Sequence, residues 1–143
     1  MIRPGLRFPL RAKLVLYGNL ALSLLSGGAW FVLDRWFQVE GEFGPEKHPL
    51  QTWLIRLHGA SAFLVLVGIG IVLGSHVPAA WRTRRHRRSG LVLLGAVGGL
   101  ALTGYLLYYA PGPDFRQDVA WCHLGLGLAL PAWVVAHVWR RRR

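Results

Sequence analysis

The chain has 143 residues, 53% of them hydrophobic, and a formal net charge of +11. That length holds one domain, 1–143, and the single cysteine, Cys122, excludes an internal disulfide. The 17 Lys and Arg fall in blocks between long apolar runs, which points to a membrane protein and away from a nucleic-acid partner.

A membrane-spanning helix needs roughly 20 mostly apolar residues, because the hydrocarbon layer is about 30 Å thick and each residue rises about 1.5 Å. Four runs meet this. The first, Leu14 to Leu33, follows Arg3, Arg7, Arg11 and Lys13. It ends in Trp30-Phe31-Val32-Leu33 and not in small residues, so it reads as a retained helix and not a cleaved signal peptide. An acidic segment from Asp34 to Gln51 follows, with Glu40, Glu42 and Glu46.

The second run, Trp53 to Val77, carries Arg56, His58 and His76. Arg82, Arg84, Arg85, Arg87 and Arg88 separate it from the third, Leu91 to Tyr109, which ends in Tyr105, Tyr108 and Tyr109. These tyrosines and Arg116 read as an interfacial belt, with a quinone site as the other use of the same residues. A loop, Ala110 to Asp118, holds Asp114, Arg116 and Asp118. The fourth run, Val119 to Trp139, contains Cys122, His123 and His137 before the closing Arg140 to Arg143. Cys122 reads as a small packing residue.

If the helices alternate, the basic blocks share one face, and every acidic residue falls on the other. Lys and Arg stay cytoplasmic during insertion, so both termini are expected in the cytoplasm. The fold expected is all-α: an integral membrane up-down four-helix bundle. Trp30, Trp36, Trp53, Trp81, Trp121 and Trp139 lie near helix ends, where indoles favour the headgroup level.

Of the six histidines, His48 and His86 lie in loops and need no special role. His58, His76, His123 and His137 lie within apolar spans, where an ionisable residue is costly and usually functional. At about 100° per residue, the 18-residue separation of His58 and His76 returns to about the same helix face. The 14 residues between His123 and His137 fall about 40° short of four turns. The axial separations are about 27 Å and about 21 Å. His58 therefore pairs naturally with His123 near the outer leaflet, and His76 with His137 near the inner one.

Two imidazoles from facing helices at each of two levels suit the axial positions of a haem iron, with the porphyrin lying in the bundle. Zinc would want three or four ligands at one point, and no intramembrane carboxylate completes such a set. The sequence has no Cys-x-x-Cys-His motif, which excludes covalent c-type attachment. Arg56 and Arg116 are candidate propionate partners at the outer level, and Arg82, Arg84 and Arg140 at the inner. For Arg56, snorkelling to the headgroups is the simpler alternative.

Taken together, His58-Gly59, His76, Arg88-Ser89-Gly90, Thr103-Gly104-Tyr105, His123-Leu124-Gly125-Leu126 and His137 resemble the small bacterial four-helix membrane b-type cytochromes. These are related to the haem-bearing anchor subunits of respiratory dehydrogenases and hydrogenases. The resemblance covers nearly the whole chain. It implies two haem b groups, with His58, His76, His123 and His137 as iron ligands. It also implies electron transfer between membrane quinone or quinol and a redox partner subunit. The large respiratory cytochrome b proteins space both ligand pairs by 14 residues, whereas the second helix here uses 18. A single-haem or haem-handling protein and a non-haem scaffold or assembly factor are the alternatives.

Overall fold

The computed structural model describes residues 9–82 and 87–140. Its four helices are α1 (Leu10–Trp36), α2 (Leu50–Arg82), α3 (Arg87–Tyr109) and α4 (Pro113–Arg140). All four are long and apolar enough to cross a membrane.

Each helix except α3 extends beyond its apolar run at both ends. The run measures the stretch suited to hydrocarbon. The hydrogen-bonded helix continues through flanking polar residues such as Arg11 and Lys13, which are good helix formers. Helix α1 starts after Pro9, whose fixed φ of −61° precedes the first turn, and it closes with Phe37 N–H donating to the Leu33 carbonyl at 3.1 Å. Pro78 in α2 and Pro131 in α4 interrupt their helices' hydrogen-bond ladders, and a glycine, Gly74 or Gly127, stands four residues before each.

The acidic segment between α1 and α2 is not wholly irregular. Strands β1 (Val39–Gly41) and β2 (Gly44–Glu46) pair antiparallel, with Val39 opposite Glu46 and Gly41 opposite Gly44. Glu42 and Phe43 form the tip, where Phe43 is 92% exposed. Gly44 has φ of +117°, which an L side chain resists, so the return from the turn depends on glycine.

The chain divides into two compact units, Met1–Ala79 and Ala80–Arg143. In the first, α1 and α2 run antiparallel. Gln51 of α2 reaches Trp30 and Asp34, His58 reaches Ser23 and Gly27, and a Cβ at Gly68 would stand 2.9 Å from Leu16 Cδ1. In the second, α3 and α4 are likewise antiparallel. A Cβ at Gly99 would stand 3.0 Å from Leu126 Cδ1, and one at Gly127 would stand 3.9 Å from Leu100 Cδ2. Lipid tails are as apolar as leucine, so such small-residue contacts hold helices by van der Waals packing and not by expulsion of water.

Exposure agrees with that environment. Leu64, Leu102, Leu128 and Val135 are exposed although they lie mid-helix. The two buried serines bond along their own helices. Ser26 Oγ donates to the Leu22 carbonyl at 2.7 Å, and Ser61 Oγ donates to the His58 carbonyl at 2.9 Å. Without water, such internal partners are the way a hydroxyl avoids a desolvation cost.

Candidate functional site

His58 sits two turns into α2, half-buried against α1. Its Nδ1 lies 2.9 Å from the Ser23 carbonyl oxygen and 3.5 Å from Ser23 Oγ. A carbonyl only accepts, so Nδ1 carries the proton and donates. In the neutral ring the lone pair is then on Nε2, the nitrogen a metal would use. Gly27 makes this approach feasible. A Cβ there would stand 2.9 Å from both Cε1 and Nδ1 of the ring, closer than real Cβ contacts occur.

The arrangement recurs on α4. His123 Nδ1 lies 2.8 Å from Thr103 Oγ1. That hydroxyl has one hydrogen, donated to the Gly99 carbonyl at 2.7 Å and shared with the Leu100 carbonyl at 3.2 Å. Thr103 therefore accepts, His123 Nδ1 donates, and the lone pair again falls on Nε2. Gly104 follows Thr103, and a Cβ there would meet His123 Cε1 at 3.5 Å. About four turns further along α4, His137 Nδ1 lies 2.9 Å from Ser89 Oγ, with Gly90 alongside. At three places, then, an intramembrane histidine of one helix faces a hydroxyl residue and a glycine of its hairpin neighbour.

Positioning of these groups follows from helix register. Ser89 and Thr103 are 14 residues apart on α3, as are His123 and His137 on α4. Antiparallel helices with equal spacings keep both pairs in step, because each drifts by the same angle over the interval. Ser89-Gly90 and Thr103-Gly104 were visible in the sequence, but their role as histidine partners was not. The shared 14-residue interval was the signal available.

His76 lies on α2, but its side chain is outside the described residues, as are His86, Arg84 and the side chain of Arg140. Arg56 is exposed, with its guanidinium carbon 5.2 Å from the centroid of the Trp53 ring. This cation–π contact holds the charge beside an interfacial indole. Arg116 is exposed in the first turn of α4. The Tyr105 and Tyr109 rings lie 4.6 Å apart, and both residues are exposed, as is Tyr108.

His48 has a structural task. Its Nδ1 accepts from Leu50 N–H at 3.2 Å, and its carbonyl accepts from Gln51 N–H at 2.9 Å, capping the start of α2. Gln51 is 3% exposed. Its amide nitrogen donates to Asp34 Oδ1 at 3.2 Å and to the Trp30 carbonyl at 3.4 Å, tying the two helix ends together.

Among the described residues no three His, Cys, Asp or Glu side chains gather in a way that could hold a metal ion. A bis-imidazole centre takes two protein ligands per iron, and the donor chemistry suits it. Both rings with an assignable proton, His58 and His123, present Nε2 as the donor nitrogen. No known family, characterised protein or solved structure matches the chain.

Proposed function

We propose that the protein is a multi-pass cytochrome of the bacterial inner membrane that binds two b-type haems and carries electrons between membrane quinone or quinol and a redox partner subunit. The single observation that carries this reading is the Nδ1 anchoring of His58, His123 and His137 at 2.8–2.9 Å. Metal-bound histidines almost always hold their second ring nitrogen in such a bond, which fixes ring orientation and raises ligand basicity. In this reading His58 and His123 form the outer couple, and His76 and His137 the inner one, within an up-down bundle. The positive-inside distribution of Lys and Arg supports cytoplasmic termini and an outward-facing ribbon.

A bis-imidazole b haem supplies a one-electron couple with both axial positions filled. The chain's own part is to hold its imidazoles still, so that little rearrangement accompanies a change of charge, and to keep water out with apolar residues such as Val65, Val97 and Leu130. Arg56 and Arg116, exposed near the outer ends of their helices, would receive propionate groups. The acidic segment with the β1–β2 ribbon is the proposed docking face for the partner.

The same hydrogen bonds would satisfy buried imidazoles in a protein that binds no metal, which favours a membrane scaffold as the second reading. A reduced-minus-oxidised spectrum with pyridine haemochrome quantitation separates the two. Two haems per chain are expected, falling to about one in His58→Ala and about one in His137→Ala. A colourless protein from haem-replete cells would refute the cytochrome. One haem per chain, lost in only one variant, would indicate the single-haem alternative.

A further inference from the structure

We infer that Thr103 and Ser89 are positioning residues for the histidines of α4, Thr103 fixing the tautomer of His123 and both setting how strongly their rings donate to a metal; the metal-tuning half of this rests on the haem reading above. Helix α3 carries no intramembrane histidine, yet it supplies a hydroxyl at each level where α4 carries one. Thr103 is the better defined of the two. Its hydrogen is committed to the Gly99 carbonyl at 2.7 Å, so towards His123 it acts only as an acceptor. As a β-branched residue in a helix it has few side-chain rotamers, and back-bonding to the preceding turn selects among them. The oxygen is thus held 2.8 Å from Nδ1 by two constraints that do not involve His123.

The adjoining glycines complete the device. Gly104 leaves His123 Cε1 at ordinary contact distance from where a Cβ would be, and Gly90 does the same for His137. Each ring therefore lies beside the glycine with its Nδ1 at the hydroxyl. An Nδ1–H that donates makes the ring more electron-rich and favours the higher charge on a metal bound through Nε2. Removing the acceptor weakens that donation. His58 differs in kind, because its partner is a main-chain carbonyl that no side-chain substitution removes. The α4 ligands are thus the two whose donor strength single substitutions in α3 can alter.

The test uses the full chain with 15N-labelled histidine in detergent, as wild type, Thr103→Val, Thr103→Ser and Ser89→Ala, with haem content measured on each. Valine keeps the branched shape of threonine and removes the acceptor. The nitrogen resonances of wild-type His123 are expected to show Nδ1 protonated. Thr103→Val is expected to lose that single tautomer, and Thr103→Ser to retain it. In haem-loaded protein, Thr103→Val should raise the midpoint potential of one haem and shift its low-spin signal, and Ser89→Ala should do so for the other. Unchanged tautomers and potentials in both hydroxyl-deleted variants would overturn the inference, as would a wild-type His123 protonated on Nε2. The wild-type resonances and the serine variant decide the matter even where valine prevents folding. If wild type holds no haem, the cytochrome reading fails, while the tautomers, read in the same preparation, still test the positioning role.

Discussion

Replacing Gly27 by alanine probes the fit of His58 against α1, and its neighbour supplies the control. The added Cβ would stand 2.9 Å from the ring's Cε1 and Nδ1, whereas ordinary contact begins at 3.4 Å, so the ring must retreat by about 0.5 Å. That movement stretches the 2.9 Å bond from Nδ1 to the Ser23 carbonyl towards the limit of a hydrogen bond. Overpacking costs about 1–3 kcal/mol, and a weakened hydrogen bond about 1 kcal/mol. Alanine returns about 1 kcal/mol of helix propensity. The net loss expected is about 1–3 kcal/mol, together with a lower affinity of one haem site. At Gly28 no atom lies within 4 Å of the added Cβ, so Gly28→Ala should be neutral or slightly stabilising. Thermal unfolding in detergent and haem stoichiometry measure both variants. Equal damage from the two substitutions, or none from Gly27→Ala, would refute the close seating of His58 on α1.

Gln51→Glu replaces the donor to Asp34 Oδ1 and the Trp30 carbonyl with a second acceptor, and should cost about 1–3 kcal/mol near neutral pH. Repulsion from Asp34 raises the introduced carboxyl's pKa in the folded state above its unfolded value. The deficit relative to wild type should therefore shrink as pH falls through that raised pKa, and a deficit that grows on acidification would contradict the contact. A reporter joined after Arg143 should be active only in the cytoplasm, and one inserted between Glu42 and Phe43 only outside. The reverse pattern would invert the assigned topology.

Helix placement was legible because hydrophobicity and charge separate so cleanly along this chain. All four apolar runs lie inside α1 to α4, and the basic blocks mark their ends. Helix ends were less legible. The bilayer sets the length of an apolar run, whereas Arg11, Gln51 and Arg116 continue or start helices on propensity and capping alone. The β1–β2 ribbon escaped notice because strands of three residues, one of them Gly-Pro-Glu, show no alternation of apolar and polar residues. The histidines themselves were conspicuous, since ionisable residues are rare in such spans. Their partners were not, because Ser23, Ser89 and Thr103 are ordinary residues of membrane helices until the antiparallel register brings each opposite an imidazole. The expected couples between α2 and α4 join residues of different units, and they stand as part of the proposed function.

Each described intramembrane histidine has a hydrogen-bond partner in its own hairpin, which bears on the cost of placing it in lipid. A nascent hairpin that entered lipid with bare imidazole N–H groups would carry a desolvation cost at every one. Here Ser23, Thr103 and Ser89 meet Nδ1 as soon as two neighbouring helices close. Each half of the chain thereby meets the cost of carrying its imidazoles into lipid within its own pair of helices.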